Sequence, residues 1–484
     1  MTQIKNFIGG DFVDPASGEY LDNVDPSIGQ VYSQVADSDE RDVERAVEAA
    51  SSAFEAWSNT PTMERSRIMM AIADLVDKNL DRLARAECVD NGKPLTLARS
   101  LDIPRAATNF RFFASTIQHL RSECYPIEGV GLNYTLRRPQ GVAGIISPWN
   151  LPLYVFTWKI APAIATGNTV VAKPSEVTPM TAYLFCELCK EAGLPAGVLN
   201  VVHGLGTKAG AAIVRHPKIP TISFTGGTVT GREIAATASP MFKKVGLELG
   251  GKNPNVIFAD ADMNAVIEGS IRSSFANQGQ VCLSGSRMFV ERGAYDSVVD
   301  RLVRAARELT VGDPLEEDTD QGALVSKVQH DKVLGYIELA LADGGRIHCG
   351  GGVPESLPDR CKNGYFVEPT VITGLPPDCR VNQEEIFGPV VTITPFDSED
   401  EAVALANCTD YGLSASVWTS DVSRAHRVAE RIHSGTVWVN CWMLRDLRAP
   451  FGGMKSSGVG REGGDESLRF FTEPKNVCIR IPKA

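Results

Sequence analysis

The order of apolar and polar positions predicts helices in the first part of the chain. Between residues 40 and 120, apolar residues recur at helical spacing, first over Val43–Trp57 and then over Glu64–Leu83. Asp39 or Asp42 is a suitable N-cap for the first run. Both runs are therefore predicted to be helices.

From residue 141 onward, short β-branched runs alternate with helical stretches. A second alternating block starts near Asn255 and continues past residue 440. This is the rhythm of βαβ units, whose parallel sheet is covered on both faces. The predicted strands are Val142–Ile146, Thr169–Ala172, Leu199–Val202, Thr221–Phe224 and Val245–Leu247, followed by Arg287–Glu291, Tyr365–Ile372, Val390–Phe396 and Thr436–Asn440.

Size and charge narrow the class of protein. A chain of 484 residues exceeds what one hydrophobic core supports, so two or three domains are expected. The net charge of −11 without a clustered basic run argues against nucleic-acid and anionic-membrane partners. The most apolar stretch, 141–172, is broken by Lys159 and three prolines into pieces too short to span a bilayer.

The cysteines and histidines predict reduced thiols and no metal site. The N-terminus lacks the apolar core of a signal peptide, and eleven cysteines without regular spacing indicate a cytoplasmic protein. Cys186 and Cys189 match C-x-x-C, but they lie in a helix-like run, which disfavours a redox or metal role. The seven histidines form no metal-binding motif.

Cys282 and Glu248 are the candidate catalytic pair. Covalent catalysis on a carbonyl needs a thiol that attacks the carbon and a carboxylate that accepts and donates protons. Small residues before Cys282 are expected to bring backbone N–H groups near the sulfur, lowering its pKa and stabilising an oxyanion. Glu248 ends the first block and Cys282 begins the second, so a cleft between domains is predicted. The alternatives are a buried core cysteine and a capping or surface glutamate.

Three polar residues follow predicted strands in the first block. Asn150 is a plausible oxyanion donor, the alternative being an ordinary turn asparagine. Lys173 and Glu176 offer a donor and an acceptor to a ribose diol at the sheet edge where nucleotides bind. The acid would repel a 2′-phosphate, which favours NAD over NADP. The alternative is a solvated ion pair in a proline turn.

Two further segments suit a dinucleotide. Phe224–Gly231 is a strand-to-helix glycine turn able to seat a pyrophosphate on a helix N-terminus, and Gly204–Gly206 is a second glycine turn. Glu385 and Phe387 precede a strand of the second block and are candidates for holding a nicotinamide ribose and ring. The alternative is a Gly-Pro turn with a buried phenylalanine.

The order of these motifs is more specific than any one of them. S-P-W-N, K-P-S-E, F-T-G-G-T, E-L-G-G-K, G-Q-x-C, E-E-I-F-G-P and P-F-G-G-x-K-x-S-G follow one another along the chain. Together they resemble the NAD(P)-dependent aldehyde dehydrogenase superfamily over essentially the whole length. The segments around Asn150, Arg105 and Arg445 look like the branch that oxidises 2-aminomuconic and 2-hydroxymuconic semialdehydes.

The resemblance implies a role for each motif. Cys282 would form a thiohemiacetal whose oxyanion is held by Asn150 and the Cys282 backbone N–H, hydride would pass to NAD, and Glu248 would activate the hydrolytic water. Many relatives have serine at Gly227, so altered cofactor affinity is expected here, not lost activity. The implied cofactor-binding residues are Trp149, Lys173, Glu176, Phe224, Gly226, Gly227, Leu249, Glu385 and Phe387.

The resemblance also implies an α/β architecture of three parts. A Rossmann-type NAD-binding domain would comprise 1–120 and 140–250, and an α/β catalytic domain 251–465. A small β oligomerisation element would comprise 121–139 and 466–484. The alternating runs Asn133–Arg138 and Asn476–Ile481 look like exposed strands that seek a partner edge across subunits. A homo-oligomer, a dimer or a tetramer, is expected.

Arginines narrow the aldehyde to one with a carboxylate. Arg445, with Arg448 as a less certain addition, lies in the family's substrate-mouth loop, and Arg105 lies on the helix that lines its substrate tunnel. Guanidinium groups bind carboxylates bidentately. The alternative is two surface ion pairs, Arg105 with Asp102 and Arg445 with Asp446.

The predicted function is therefore NAD-dependent oxidation of a muconic semialdehyde in the catabolism of an aromatic compound. The sequence leaves the amino and hydroxy forms of this substrate open. Another carboxylated aldehyde, such as succinic semialdehyde, is an alternative within the class. A structural, crystallin-like protein is an alternative of another class, against which the presence of Cys282, Glu248 and Asn150 argues.

Overall fold

The two alternating blocks form two mostly parallel sheets, and the computed structural model describes residues 1–482 of the chain. The strands are β1 (Thr2–Ile4), β2 (Asn6–Ile8), β3 (Asp11–Val13), β4 (Tyr20–Asp25), β5 (Gln30–Ala36), β6 (Cys124–Ile127), β7 (Gly131–Pro139), β8 (Val142–Ile146), β9 (Thr169–Lys173), β10 (Leu199–Val201), β11 (Thr221–Thr225), β12 (Lys244–Glu248), β13 (Pro254–Ile257), β14 (Arg287–Glu291), β15 (Arg346–Cys349), β16 (Thr370–Thr373), β17 (Val390–Phe396), β18 (Tyr411–Gly412), β19 (Ser414–Trp418), β20 (Thr436–Val439), β21 (Met454–Lys455), β22 (Gly458–Val459) and β23 (Thr472–Arg480).

The α-helices are α1 (Glu40–Asn59), α2 (Thr62–Lys78), α3 (Leu80–Asn91), α4 (Leu95–Leu97), α5 (Ile103–Thr116), α6 (Pro152–Ala165), α7 (Met180–Glu191), α8 (Ala211–Arg215), α9 (Thr228–Ala238), α10 (Met263–Phe275), α11 (Tyr295–Arg307), α12 (Lys327–Ala342), α13 (Arg380–Gln383), α14 (Glu399–Asn407), α15 (Val422–Arg431) and α16 (Gly464–Phe470). Turns of π-helix cover Ala98–Asp102 and Gly206–Gly210, and turns of 3-10 helix cover Ile117–His119, Ser239–Met241, Ala276–Gly279, Arg292–Ala294 and Asp359–Cys361.

Both predicted N-cap candidates take part at the start of α1. Asp39 is the N-cap, and its carboxylate accepts from the backbone N–H of Arg41 at 2.9 Å. Asp42 reaches back to the Asp39 backbone N–H at 3.3 Å, which closes a capping box. The second predicted helix is divided at Asn79 into α2 and α3.

The first block forms an eight-stranded sheet in the order β22-β12-β11-β8-β9-β10-β2-β3. Its five central strands are the five predicted from the sequence, and they run parallel. Ala143 and Ile145 join one buried cluster, whereas Val142 and Ile146 join the other. Because successive side chains of a strand point to opposite faces, both faces of this sheet are covered. The carboxyl ends of β8, β9, β11 and β12 share one edge.

The second block forms a seven-stranded sheet in the order β15-β16-β17-β14-β13-β19-β20. Arg287–Glu291 and Val390–Phe396 are strands with the predicted bounds. The prediction for Tyr365–Ile372 is wrong in its first half, because the strand covers only Thr370–Thr373. Pro369 precedes it, and a proline has no N–H to give to a sheet.

The two runs expected to pair across subunits pair with each other. In a three-stranded antiparallel sheet, β7 lies between β23 and β6, with Asn133 opposite Cys478. The expectation that β7 lacks a partner within the chain is therefore wrong. Hydrogen bonds over nine residues of β23 satisfy one side of it. The edges that remain are those of β6 and β23.

Helix α7 contains both cysteines of the C-x-x-C pattern. Cys186 and Cys189 are buried, and burial raises the pKa of each thiol. All eleven cysteines are free thiols. Across residues 1–482, no three His, Cys, Asp or Glu side chains come together as a candidate metal site. Among the helices described, none combines the length and apolar character needed to cross a bilayer.

Candidate active site

The backbone before Cys282 adopts a left-handed conformation at three successive residues. Asn277, Gln278 and Gly279 have φ values of 53°, 56° and 67°. A Cβ at Gly279 would overlap the main-chain oxygen of Gly388, so only glycine fits. Strained backbone of this kind persists where surrounding contacts fix it, and such positions cluster at functional sites.

Side chains of the loop hold this conformation. Asn277 Nδ2 donates to the main-chain oxygens of Asn150, at 3.0 Å, and Gln280, at 3.2 Å. Gln278 Nε2 donates to Ala323 O at 2.7 Å. The loop is therefore fixed by buried amide groups before the chain reaches Cys282.

Asn253 ties the Glu248 segment to the Cys282 loop. Its Nδ2 donates to Cys282 O at 2.8 Å and Ser284 O at 2.9 Å, and its Oδ1 accepts from the Ser414 N–H at 3.0 Å. Asn253 follows the strand that ends at Glu248 by five residues. The two predicted catalytic segments are thus joined directly, at the edge where the two sheets meet.

Asn150 lies beside the nucleophile loop, as its predicted role requires. Its Nδ2 donates to Gln280 O at 3.0 Å, two residues before Cys282. The amide nitrogen carries two hydrogens, and this bond uses one of them. The second hydrogen makes no hydrogen bond to any other residue within residues 1–482.

Glu248 is a buried carboxyl in an electrostatically mixed environment. Burial and the carboxylate of Glu462 raise its pKa well above the usual range, against the charges of Lys159, Arg461 and Arg445. Its Oε2 atom is buried and accepts no hydrogen bond within residues 1–482. A carboxyl with a raised pKa takes up a proton more readily, which suits a general base.

The expectation of a lowered thiol pKa at Cys282 is wrong for the site described here. Burial, with the charges of Glu385 and Glu248, raises the pKa of Cys282 to about 12. The Arg445 charge and the Cys282 backbone N–H oppose this rise but do not reverse it. Desolvation outweighs the dipoles because Cys282 packs against the apolar cluster of Val281, Leu283, Leu413 and Trp438. The thiol is therefore neutral at pH 7 and must lose its proton before it attacks.

A cavity of about 840 Å³ opens at the carboxyl edge of the first sheet. This is within the usual range for ligand sites, and the edge is where open α/β sheets bind nucleotides. Six of the predicted cofactor residues line it, namely Trp149, Lys173, Glu176, Phe224, Gly226 and Gly227.

The glycine turn of this cavity has the predicted strand-to-helix form. Strand β11 ends at Thr225 and α9 begins at Thr228, with Gly227 as the N-cap and no side-chain cap. The first N–H groups of α9 are thus left for a ligand. A Cβ at Gly227 would meet no atom within 4 Å, whereas one at Gly226 would overlap the Phe224 ring.

Lys173 and Glu176 form an ion pair in the lining of the same cavity. Lys173 Nζ lies 2.9 Å from a Glu176 carboxylate oxygen. Although burial alone would raise it, the charge and hydrogen bond of Lys173 hold the pKa of Glu176 below its usual value. The carboxylate is therefore charged at neutral pH, as the predicted preference for a ribose diol over a phosphate requires.

The three remaining cofactor candidates lie outside this cavity's lining. A carboxylate oxygen of Glu385 accepts from the Gly251 N–H at 2.9 Å, and Phe387 packs edge-on against Trp149 with ring centroids 5.2 Å apart. Both connect the second block to the strand ends of the first. The Leu249 side chain instead packs against Gly231 of α9, and its backbone N–H donates to Ser457 O at 2.9 Å.

Arg105 and Arg445 converge on one aromatic frame. Arg105 lies over Tyr154 at 5.1 Å, and Arg445 lies over Phe451 at 3.9 Å, measured from guanidinium carbon to ring centroid. The Arg445 Nη1 is 3.3 Å from the Tyr154 hydroxyl. Within residues 1–482, neither arginine has a carboxylate within salt-bridge distance, and the buried Arg105 Nη2 has no hydrogen-bond partner.

The alternative of two surface ion pairs is wrong. Asp102 is fully buried and pairs with Lys93, and Asp446 pairs with Arg448. Arg448 is therefore engaged and exposed, unlike the other two arginines. The vestibule outside has a volume of about 1020 Å³ and is lined by both Arg445 and Arg448.

Sequence reasoning missed several residues of the site. Trp158 and Tyr154 lie on α6 and are absent from the residues that the motifs predict, although a Trp-Lys pair in an apolar run is a usable signal. Lys159 Nζ lies 2.6 Å from Glu462, and Trp158 Nε1 donates to the same carboxylate at 2.8 Å. Partners more than three hundred positions apart cannot be matched from one sequence.

A cysteine loop, a buried glutamate and an asparagine amide meet at this junction, beside the cavity of about 840 Å³ that Trp149 lines. The chain belongs to the aldehyde dehydrogenase family: the sequence model described as "Aldehyde dehydrogenase family" matches residues 12–477. The resemblance predicted from the ordered motifs is confirmed.

Named relatives are similar over their full length. The 2-aminomuconic semialdehyde dehydrogenase of Danio rerio is 53% identical, over 99% of this chain and 98% of its own. The 2-hydroxymuconic semialdehyde dehydrogenase of Pseudomonas sp. (strain CF600) is 48% identical, over 99% and 100%. The NAD⁺ complex of an aldehyde dehydrogenase from Bacillus cereus superposes with a TM-score of 0.96 at 43% identity, covering 99% of this chain and 97% of that one. The predicted fold class is confirmed.

Proposed function

We propose that this chain oxidises a muconic semialdehyde, 2-aminomuconic or 2-hydroxymuconic, to the dicarboxylic acid with NAD as the hydride acceptor. The names of the two relatives support this proposal. The structural observation that carries it is the convergence of Arg105 and Arg445 on Trp158 without a carboxylate of their own.

The arginine pair suits a carboxylate at the far end of the substrate. Two guanidinium groups held close together repel each other, and an anion between them relieves the repulsion. The same Arg445 charge acts on both Cys282 and Glu248, so this subsite lies within electrostatic reach of the reacting thiol. A substrate with a carboxylate at one end and an aldehyde at the other would place one group at each of these two positions.

The residues of the chain then have distinct tasks. Cys282 gives its proton to the Glu248 carboxylate, which passes it on to solvent, and the sulfur adds to the aldehyde carbon while Asn150 Nδ2 and the Cys282 N–H hold the oxyanion. Bound NAD supplies the acceptor for the hydride that leaves this carbon, which becomes a thioester. Glu248 takes a proton from water, the water attacks the thioester, and the acid and the free thiol are released.

The cavity at the first sheet fits NAD. The uncapped start of α9 suits a pyrophosphate, and open space at Gly227 lets the main chain approach it. Lys173 and Glu176 would bind the adenosine ribose, and Trp149, Phe224 and Gly226 would form the walls. The charged Glu176 favours NAD over NADP, because a 2′-phosphate would meet a carboxylate. Glu385 and Phe387 would hold the nicotinamide ribose and ring, and the Leu249 main chain would face them.

We also propose the larger organisation that the family resemblance implies. It comprises a nucleotide domain (1–120 and 140–250), a catalytic domain (251–465) and an oligomerisation element (121–139 and 466–484). The free edges of β6 and β23 support assembly through that element, as a dimer or a tetramer. Eleven free thiols support a reducing compartment such as the cytoplasm.

A substrate panel tests the function directly. NADH formation would be measured with 2-hydroxymuconic, 2-aminomuconic and succinic semialdehydes and with a neutral aldehyde of similar length. We expect the highest kcat/KM for a muconic semialdehyde. A higher value for succinic semialdehyde would favour that alternative, and equal values for the neutral aldehyde would contradict the arginine subsite. Absence of turnover with every aldehyde would support a structural protein.

A further inference from the structure

A charged cluster that takes no part in the proposed reaction lies directly behind the active site. Lys93, Glu87 and Asp102 are all fully buried. The Lys93 ammonium pairs with Asp102 and lies 3.5 Å from Glu87. Its third contact is the main-chain oxygen of Asn150, at 3.2 Å.

The cluster joins three separate elements. Glu87 lies on α3 and Lys93 follows that helix. Asp102 ends the π-helical turn Ala98–Asp102, which continues into α5, the helix that carries Arg105. Turns of π-helix are often found at functional sites. One ammonium group thus connects the helix of the substrate arginine to the loop of the oxyanion amide.

The Asn150 loop receives further bonds from the same side. Asn91 Nδ2 donates to Trp149 O at 2.9 Å, and a Glu87 carboxylate oxygen accepts from the Leu153 N–H at 3.4 Å. The Asn150 main-chain oxygen also accepts from Asn277 Nδ2 of the nucleophile loop, at 3.0 Å. Two donors, Lys93 Nζ and Asn277 Nδ2, therefore hold this oxygen and restrict the rotation of the peptide beside the Asn150 side chain.

The charge balance explains why the cluster can be buried. Burial raises the pKa of Glu87 to about 7, against the charge of Lys93, and it also raises the pKa of Asp102. One ammonium and two carboxyls, one of them partly protonated, come close to neutrality. Removal of the lysine would leave an uncompensated buried charge, which loosens the elements that meet there.

We propose that Lys93 is a positioning residue: through the Asn150 main-chain oxygen it holds the Asn150 amide in line with the oxyanion that forms at Cys282. Glu87 and Asp102 orient its ammonium. This inference rests on the proposed role of Asn150. A misplacement of about 1 Å at such a donor lowers the rate by about 100-fold.

A double-mutant cycle tests the proposal in the full-length enzyme. The variants Lys93→Met, Asn150→Ala and their combination would be assayed with NAD and 2-hydroxymuconic semialdehyde. We expect Asn150→Ala to lower kcat by about 100- to 1000-fold, as for loss of an oxyanion donor. Lys93→Met should lower kcat by about 100-fold with little change in KM for NAD. The combination should be no slower than Asn150→Ala alone, because both changes remove the same contact.

Several outcomes would overturn the proposal. If the fold-loss in kcat of the combined variant equals the product of the two single losses, Lys93 does not act through Asn150. If kcat of Lys93→Met is unchanged, Lys93 has no effect on the reaction. Near-normal turnover of Asn150→Ala would instead refute the oxyanion assignment in the proposed function. The two failures are therefore distinguishable.

A matched control and a more conservative variant distinguish the proposed positioning role from a loss of folding. Lys243 is also buried, with its ammonium donating to the main-chain oxygens of Val214 and His216, both at 2.6 Å. Lys243→Met should leave kcat near the parent value. If Lys93→Met does not fold, Asp102→Asn keeps the shape and removes one charge. Asp102→Asn should lower kcat by less than Lys93→Met does, and it should not lower kcat further when Asn150→Ala is already present. An equal loss of kcat with and without Asn150→Ala would contradict the proposal.

Discussion

Arg105 and Arg445 hold their guanidinium groups against the same indole ring, with central carbons 5.9 and 5.7 Å from the centroid of Trp158. Burial, and to a smaller extent the charge of Arg445, lowers the pKa of Arg105. The Trp158 N–H donates to Glu462, so a carboxylate outside the subsite polarises the ring that both cations contact. A pair of like charges in this arrangement is suited to an anionic ligand.

Arg105→Ala and Arg445→Ala should each weaken transition-state binding of a muconic semialdehyde by about 1.5–3 kcal/mol, the range for hydrogen bonds to charged groups. Transition-state binding of a neutral aldehyde should be unchanged in both variants, since this substrate makes no such bonds. The measurement is kcat/KM for both substrates. Arg448→Ala is the matched control, because Arg448 is exposed and paired with Asp446, and it should leave both values unchanged. Equal losses on the two substrates would indicate a structural role for the arginines.

Cys282→Ser should abolish NADH formation, with a loss of roughly 10³-fold or more, as for removal of a nucleophile from a unit that acts together. NAD binding should survive, because Cys282 does not line the nucleotide cavity. Turnover and NAD binding would be measured on the same preparation. Cys441→Ser is the control, since Cys441 packs in the same apolar cluster. Comparable losses in both variants would contradict the assignment.

Glu248→Ala should accumulate a thioacyl enzyme, because the attack of water on the thioester then lacks its base. Intact mass after mixing with NAD and substrate should show the added acyl group. The double variant Cys282→Ser/Glu248→Ala should show no adduct, which identifies the sulfur as its site. Rapid steady turnover of Glu248→Ala would contradict the deacylation role.

Alkylation of Cys282 by iodoacetamide should accelerate about tenfold per pH unit between pH 7 and 10, because the thiolate is the reactive form. Burial and two carboxylates raise the pKa of Cys282 to about 12, so the thiolate fraction still rises across this range. The rate would be followed by peptide mass, with exposed Cys408 as the internal reference. Glu385→Gln should speed the reaction by removing one of the opposing charges. A plateau below pH 9 would contradict the direction of the shift.

Gly227→Ser should tighten NAD binding by about 0.5–1.5 kcal/mol, the net value of one added hydrogen bond. The site has room, since a Cβ there meets no atom within 4 Å. Gly226→Ser is the contrast and should weaken binding, because its Cβ would overlap the Phe224 ring. Titration of each variant with NAD measures the effect. Weaker binding in Gly227→Ser would show that the hydroxyl hinders the cofactor.

The sequence by itself determined the elements and the order of the motifs. The five central strands of the first sheet are apolar β-branched runs, and they have nearly their predicted bounds because local pattern decides local structure. The strand predicted at Tyr365–Ile372 begins only at Thr370, because a proline precedes that residue. Gly279 belongs to the small residues predicted to shape the backbone before Cys282, but the sequence did not show that the main chain of Gly388 leaves room only for glycine.

Only the tertiary structure decided which charges meet and what the local dielectric does to them. The sequence suggested an ion pair between Asp102 and Arg105. In the structure Asp102 pairs with Lys93, and Arg105 lies over the Tyr154 ring. The sequence also suggested a lowered pKa for the Cys282 thiol, whereas burial in the folded protein raises the pKa of this thiol. Pairing and desolvation depend on positions far apart along the chain, so periodicity and spacing do not encode them.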